Sequence, residues 1–179
     1  MPNFTAMDDA ALVEHVRQTP DAFGVLYQRY VAPLYRYLYR RVGSAHDAED
    51  LTAQVFTEAL EGLFANRYRD SRCFLAWLFT IARRRAIDFY RQRSVAPLDD
   101  PPSPEPGLLT AVEKGEDLQR LGHLLAQLDE DRRELLRLRF SAGLSFAQIA
   151  QIEGRSEAAV KMAIYRTLET LREQWEVEK

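Results

Sequence analysis

Apolar residues recur at helical spacing along almost the whole chain, and no stretch shows the period-two alternation of a half-exposed strand. The pattern predicts an all-α protein. Pro20 is expected to open the second helix, Pro33 is a candidate kink within it, and Ser44 is the expected cap of the third. Four helices that can enclose one small core are expected in the first half of the chain, over about 8–17, 20–42, 44–60 and 73–93.

The helical pattern stops between Ser94 and Gly107, where five of the chain's eight prolines stand together with three acidic residues. This composition predicts a stiff, extended, acidic linker. Helical periodicity resumes near Leu118 and continues to the end of the chain. We therefore expect a first domain over residues 1–94, a linker over 95–114 and a second domain over 115–179.

Charge is distributed unevenly along the chain of 179 residues. The formal net charge of −3 is not the overall signature of a nucleic-acid-binding protein. Residues 67–93, however, carry eight arginines against two acids, whereas residues 94–131 carry nine acids against two basic residues. A nucleic-acid function must therefore be sought in the basic fourth helix and in short local motifs.

The sequence offers little for catalysis or for a bound metal. One cysteine and three histidines provide neither a disulfide framework nor the spacing of a zinc site. A glycine-rich phosphate loop, a Gly-x-Ser-x-Gly motif and an interpretable Ser/His/Asp set are all missing. We therefore expect no enzyme, no catalytic residue, no metal, no cofactor and no small-molecule substrate. The lack of a long apolar run and of a basic, apolar leader predicts a cytoplasmic protein without membrane insertion.

Residues 143–173 have the pattern of a helix-turn-helix, in which Ser145 and Ser156 cap the two helices and Gly154 provides the turn. Glu153 stands where such motifs usually have an apolar residue, and Ile152 could fill that place. An ordinary helical hairpin is the alternative interpretation. The apolar face of the second helix is expected at Val160, Ala163, Ile164, Leu168 and Leu171. The expected DNA contacts are Ser145, Arg155, Ser156, Glu157, Ala158, Ala159, Lys161, Met162, Tyr165 and Arg166.

The fourth helix of the first domain interleaves aromatic residues with arginines, a combination that suits single-stranded nucleic acid. The polar loop before it, with one aromatic residue and two arginines, could clamp an unstacked base. The alternative is a core tryptophan beside a solvated arginine face. The core face of the helix is expected at Phe74, Leu78, Ala82 and Phe89. The expected contacts are Asn66, Arg67, Tyr68, Arg69, Asp70, Ser71, Trp77, Thr80, Arg83, Arg84 and Arg91.

The third helix begins with Asp47, Glu49 and Asp50, which complement the positive end of the helix dipole. They do not share one face and have no histidine one turn away, so they predict no metal site. These acids would suit docking against a basic helical surface of a protein partner, with Leu51 and Val55 supplying apolar contact.

The order of these parts resembles that of the extracytoplasmic-function (ECF) type of bacterial sigma-70 factors, with DAEDLTAQVF at 47–56, WLFTIARRRAIDFYRQR at 77–93 and a carboxy-terminal helix-turn-helix. The resemblance implies two domains, region 2 and region 4, that direct promoter-specific transcription initiation by core RNA polymerase. Region 2 would melt and hold the non-template strand of the minus-ten element, and region 4 would read the minus-thirty-five element and contact the β flap. Docking on the β′ subunit is implied for Asp47, Glu49, Asp50, Leu51, Gln54, Val55 and Phe56.

Two positions depart from the frequent pattern of that family, since Ala53 replaces a glutamine and Arg84 replaces an asparagine. Many family members are held inactive by an anti-sigma factor, and the resemblance implies such a partner here. A stand-alone dimeric helix-turn-helix transcriptional regulator is the alternative, which would read two half-sites of duplex DNA without polymerase. A helical-bundle enzyme would need inward-facing ligand sets such as Glu-x-x-His, which the sequence lacks.

Overall fold

The computed structural model describes residues 3–68, 73–95 and 116–177, and every regular element in them is helical, as predicted. A short 3-10 turn over Phe4–Ala6 precedes the first α-helix. The α-helices are α1 (Asp9–Val16), α2 (Asp21–Val42), α3 (Ala45–Phe64), α4 (Phe74–Val95), α5 (Glu116–Gln127), α6 (Glu130–Leu136), α7 (Phe146–Glu153) and α8 (Glu157–Val177). The helix α6 continues into a π-helical segment over Arg137–Ser141. The predicted linker beyond Val95 lies outside the described residues.

Short polar side chains determine where the helices begin. Asp8 caps α1 by accepting a hydrogen bond from the backbone N–H of Ala11 at 2.8 Å. Ser44 caps α3 in the same way, with the N–H of Asp47 at 3.3 Å from its Oγ. Such a cap contributes about 1 kcal/mol, because it satisfies a backbone donor that the helix itself leaves unpaired. The predicted starts of these two helices are confirmed.

Helices α1–α4 enclose one apolar core, in which α3 packs against both α2 and α4. The side chains of Leu34 and Leu38 in α2 and of Leu78 in α4 are fully buried there. Each buried leucine contributes roughly 1.5–3 kcal/mol by removing apolar surface from water. The expected core face of α4 is confirmed at Phe74, Leu78 and Ala82, whereas Phe89, near the end of the helix, is only partly buried.

Helices α5–α8 form the carboxy-terminal half. Ser145 and Gln148 form a reciprocal capping box at the start of α7, and Gly154 ends that helix with φ of 62°. This left-handed conformation costs a glycine nothing, which is why the turn can be so short. The Oγ of Ser156 accepts the N–H of Ala159 at 3.2 Å and caps α8, as predicted.

The buried side of α8 differs from the expected one, since Ala163 is only partly buried. Val160, Ile164, Thr167 and Leu171 are buried, whereas Leu168 is exposed. The correction follows from helix geometry, since the spacing of four, three and four residues keeps Thr167 inside and leaves Leu168 at the edge of the stripe.

The two halves pack directly against each other. Helix α4 contacts α7, and α2 contacts the π-helical segment. Arg36 on α2 donates hydrogen bonds to the backbone oxygens of Ser141 and Ala142, both at 3.1 Å. These contacts bring the basic fourth helix and the helix-turn-helix side by side.

Candidate nucleic-acid and protein interfaces

A small surface pocket of about 220 Å³ opens between α3 and α4. This volume lies below the range of roughly 300–1,000 Å³ that is typical for whole ligands, so it suits one planar group. Four predicted contacts, Arg67, Trp77, Thr80 and Arg84, lie together in its wall. Glu58, Gly62 and Ile81 complete the wall and were missed by the sequence analysis.

Trp77 is held in place by its neighbours. A Cβ atom at position 62 would lie only 2.7 Å from Cη2 of Trp77, so the glycine lets the indole ring lie directly on α3. Tyr68 packs against the indole with ring centroids 5.0 Å apart, and Phe74 packs against it at 6.0 Å. A glycine inside an otherwise helical pattern is the sequence signal that could have indicated this close approach.

Glu58 holds Arg84 of the pocket together with the neighbouring Arg85. Its carboxylate accepts from Arg84, and it also accepts from Nε of Arg85 at 2.8 Å. A guanidinium carries five N–H donors, so Arg84 retains donors for a base or a phosphate while Glu58 fixes its position. The sequence around Glu58 gives no signal of this role, because its two arginine partners lie on α4.

Arg83 does not join the pocket, which corrects the expected grouping. Its guanidinium lies 2.5 Å from Oε1 of Glu153 and 3.2 Å from Oε1 of Glu134, both in the carboxy-terminal half. Successive residues of a helix are 100° apart, so Arg83 and Arg84 cannot share a face. Glu153, the acid that breaks the helix-turn-helix pattern, thereby acquires a structural partner.

The other expected contacts around the pocket are dispersed. Asn66 adopts a left-handed backbone, with φ of 55°, and its side chain accepts from Arg17 at 2.6 Å. Arg91 is exposed but lies fourteen residues after Trp77, which is about 21 Å along the helix. The predicted contacts Arg69, Asp70 and Ser71 lie outside the described residues.

The acidic start of α3 is only partly available to a partner. Glu49, Asp50 and Gln54 are exposed, and Asp47 is half-buried with a carboxylate oxygen 3.4 Å from Arg93. The side chains that were expected to supply the apolar contact belong to the core of the protein itself. Those buried residues are Leu51, Val55 and Phe56.

Most of the residues expected to contact DNA from α8 are exposed. Met162 and Tyr165 are each 50% exposed on this helix. Lys161 lies 5.8 Å above the Tyr165 ring. Arg155, Ser156, Glu157, Ala158, Lys161 and Arg166 are also exposed, Ala159 is half-buried, and Ser145 is exposed at the start of α7.

A buried charge cluster lies between the two halves. Glu134 accepts from the Tyr37 hydroxyl at 2.6 Å, from Arg41 at 2.7 Å and from Arg137 at 2.9 Å. Burial alone would raise the pKa of Glu134, but the charges of Arg41, Arg83 and Arg137 and the Tyr37 hydrogen bond outweigh it and lower that pKa. The pKa of Tyr37 is raised, first by burial and then by the charge of Glu134. Glu134 is therefore ionised at neutral pH despite its burial.

Among residues 3–68, 73–95 and 116–177, no group of three or more His, Cys, Asp or Glu side chains could hold a metal ion. In the same part of the chain, no helix is both long and apolar enough to cross a membrane.

Comparison with known proteins places both halves in one family. Residues 26–95 match Sigma-70 region 2, and residues 118–171 match Sigma-70 region 4. The chain is 34% identical to the ECF RNA polymerase sigma factor BldN of Streptomyces coelicolor, over 92% of this chain and 66% of that protein. It is 31% identical to the ECF RNA polymerase sigma factor SigL of Mycobacterium tuberculosis, over 82% of this chain and 85% of that protein.

The fold agrees with this assignment. The structure of CnrH in complex with the cytosolic domain of CnrY matches with a TM-score of 0.61 and 22% identity, over 96% of this chain and 99% of that one. The helix-turn-helix at the carboxy terminus and the basic fourth helix correspond in order to regions 4 and 2. The chain therefore belongs to the ECF sigma factors of the sigma-70 family, which direct promoter-specific initiation of transcription.

Proposed function

We propose that this sigma factor reads its promoter with two separate surfaces, the pocket around Trp77 in region 2 and the exposed face of α8 in region 4. The observation that carries the proposal is the convergence of Arg67, Trp77, Thr80 and Arg84 on one pocket of about 220 Å³. The protein acts in the cytoplasm on core RNA polymerase and promoter DNA.

The pocket in region 2 receives one unpaired base of the non-template strand of the minus-ten element. The indole of Trp77 offers a face on which a base can stack, an interaction worth about 1–3 kcal/mol. Arg84 and Thr80 supply hydrogen-bond donors at the rim, and Arg67 supplies positive charge for the adjacent phosphate. An extruded base needs such a combination of stacking and edge contacts.

The face of α8 enters the major groove of the minus-thirty-five element. Lys161 and Arg166 pair with phosphates, and the small Ala158 allows the helix to approach the base edges closely. The exposed Met162 and Tyr165 supply apolar contact of the kind that a thymine methyl group can accept. The face has few long polar side chains, so its sequence discrimination is modest.

Core RNA polymerase is bound through the acidic start of α3. Glu49, Asp50 and Gln54 present exposed carboxylates and an amide to a basic helical surface of the β′ subunit, while region 4 contacts the β flap. Because each DNA surface is weak alone, polymerase makes the protein specific by fixing the distance between the two, as in other bivalent binders.

An anti-sigma factor is the second protein partner that we propose. A groove of about 630 Å³ runs between α2 and the carboxy-terminal half, and Phe140 in its wall is 62% exposed. CnrH was solved with a second protein, the cytosolic domain of CnrY. An apolar helix with acidic flanks would fit this groove, whose wall combines aromatic and aliphatic side chains with basic ones: Tyr35, Arg36, Tyr39, Arg40, Leu121, Leu125, Arg133, Phe140 and Leu168.

Run-off transcription from a promoter library, with core RNA polymerase and with or without the protein, tests the proposal. Transcripts that depend on the protein and share two upstream elements at fixed spacing are expected. Trp77→Ala should lower them by roughly 5- to 100-fold, the loss of one stacked base, whereas Trp175→Ala should not. Asp50→Lys should abolish polymerase binding, whereas Glu14→Lys, on an exposed part of α1, should retain it.

The opposite outcome is equally clear. If no transcript depends on the protein, and it instead shifts palindromic duplex DNA without polymerase, the protein works as a stand-alone regulator and the proposal fails.

A further inference from the structure

The wall of the region 2 pocket contains one carboxylate among its basic groups. Of the described residues that line the pocket, Glu58 alone is acidic, and Arg67 and Arg84 are the basic ones. A guanidinium group donates hydrogen bonds and accepts none, whereas a carboxylate paired with guanidinium groups only accepts them. The arginines can therefore contact the acceptor atoms of a base, and Glu58 can contact its donors.

Glu58 keeps room for one more hydrogen bond. Arg84 donates to Oε1 of Glu58, and Nε and Nη2 of Arg85 lie 2.8 and 2.7 Å from Oε2. A carboxylate has about four acceptor positions, so one position remains after these three contacts. The side chain of Glu58 is only 15% exposed, and a base in the pocket would displace the water that solvates it. An acceptor that loses water and gains no donor weakens binding.

The four bases differ in the donors that they can offer to this carboxylate. Adenine, cytosine and guanine carry an exocyclic amino group next to an unprotonated ring nitrogen, whereas thymine carries carbonyl oxygens instead. The ring N–H of thymine lies between two of these oxygens, so a carboxylate that accepts from it is repelled by both. The carboxylate of Glu58 and the adjacent guanidinium of Arg84 together match an amino group and its neighbouring ring nitrogen.

We propose that Glu58 makes the pocket selective for a base with an exocyclic amino group and against thymine. Glu58 accepts from the amino group, and Arg84 donates to the ring nitrogen beside it. The inference rests on the proposed function, because it states which bases the pocket around Trp77 accepts. Glu58 is thereby a specificity-determining residue of the minus-ten contact as well as the group that positions Arg84.

Single-base changes in the promoter test this selectivity without any change in the protein. The template strand opposite the minus-ten element is made abasic, so that no base there has to be unpaired. Each position of the non-template element then carries cytosine, uracil or thymine in turn. Cytosine and uracil differ at the amino group alone. At the one position whose preference disappears in Trp77→Ala, the initial rate of run-off transcription with cytosine should exceed that with uracil by at least about tenfold, the usual value of a hydrogen bond to a charged group. Thymine should behave like uracil, because the two differ by a methyl group.

Glu58→Gln tests whether the carboxylate is the source of the preference. The amide of glutamine can donate to a carbonyl oxygen as well as accept, so the cytosine-to-uracil ratio should fall below about threefold. Glu61→Gln is the matched control, since it removes the same charge one turn further along α3 and outside the pocket wall, and it should keep the ratio. If Glu58→Gln lowers transcription equally on all templates and leaves the ratio unchanged, Glu58 only positions Arg84 and the proposal is overturned.

Failure of this inference and failure of the proposed function give different results. If transcripts depend on the protein but cytosine and uracil support them equally at every position of the element, the selectivity is overturned and the proposed function stands. If no template gives transcripts that depend on the protein, the proposed function itself fails and the selectivity fails with it.

Discussion

Two of the contacts between arginines and glutamates in the described part of the chain differ in their access to water. At the pocket of region 2, the side chain of Glu58 is 15% exposed and its partners Arg84 and Arg85 are 59% and 38% exposed. Between the halves, the side chain of Glu134 is 8% exposed and its partners Arg41 and Arg137 are 10% and 4% exposed. Water screens the first contact and is excluded from the second.

The difference in exposure to water indicates that the two contacts have different roles. An exposed pair adds little to stability, so the value of Glu58 lies in fixing where the Arg84 guanidinium stands beside the pocket. A buried cluster is costly to break from one side, so Glu134 couples the folding of one half to the presence of the other. The same two residue types thus position a side chain in one place and join two domains in the other.

Removal of the Glu134 carboxylate should have the largest effect on stability. Glu134→Ala leaves Arg41 and Arg137 buried without their anion, and a change of this kind costs about 3–5 kcal/mol. The free energy of unfolding from urea titration measures it. Glu58→Ala is the control and should cost less than about 1 kcal/mol. Equal losses in the two variants would remove the distinction that we draw between the contacts.

Lowering the pH should reproduce part of this loss of stability in the unsubstituted protein. The pKa of Glu134 is lowered in the folded protein, so its contribution is complete above the usual glutamate value of about 4.3 and disappears as the pH falls through the lowered value. Tyr37, Arg41, Arg83, Arg137 and Glu130 face this carboxylate, and the arginines stay charged throughout. The unfolding free energy of the native protein should therefore fall more steeply below about pH 4.3 than that of Glu134→Gln.

The helix-turn-helix could be predicted almost completely from the sequence, whereas the pocket could be predicted only in part. Ser145, Gly154 and Ser156 act on their own neighbours, so their caps and turn are visible in the local pattern. The predicted apolar stripe of α8 was wrong at Leu168, which is exposed at the edge of the buried face, and it missed the buried Thr167.

The pocket of region 2 forms where α3 and α4 meet. The pattern of residues along the chain does not show which helices pack against each other. Trp77 and Arg84 were identified because aromatic residues and arginines are interleaved along one helix. Glu58 and Gly62 come from a different helix and were missed. For the same reason Arg83 was grouped with the pocket, because its partner Glu153 lies seventy residues further along the chain.

The fit between Gly62 and Trp77 gives a prediction of intermediate size. Gly62→Ala would place a Cβ atom 2.7–2.8 Å from the indole ring, so Trp77 must shift. Overpacking of this kind costs typically about 1–3 kcal/mol. Tryptophan fluorescence and urea unfolding measure the shift and the cost. Gly24→Ala is the matched control, since a Cβ there meets nothing within 4 Å and should stabilise α2 slightly.

The smallest effect on stability is expected at Glu58. Substitution of this residue also tests most directly the difference that we draw between the Glu58 and Glu134 contacts. Glu58→Gln should change the free energy of unfolding by less than about 1 kcal/mol, because both of its arginine partners can be solvated instead. Run-off transcription should nevertheless fall, because Arg84 loses the group that fixes it beside Trp77. Glu61→Gln, whose carboxylate lies 4.0 Å from Arg67 with both side chains exposed, should leave transcription nearly unchanged. If Glu58→Gln instead lowers stability and leaves transcription intact, the carboxylate supports the fold and does not position Arg84.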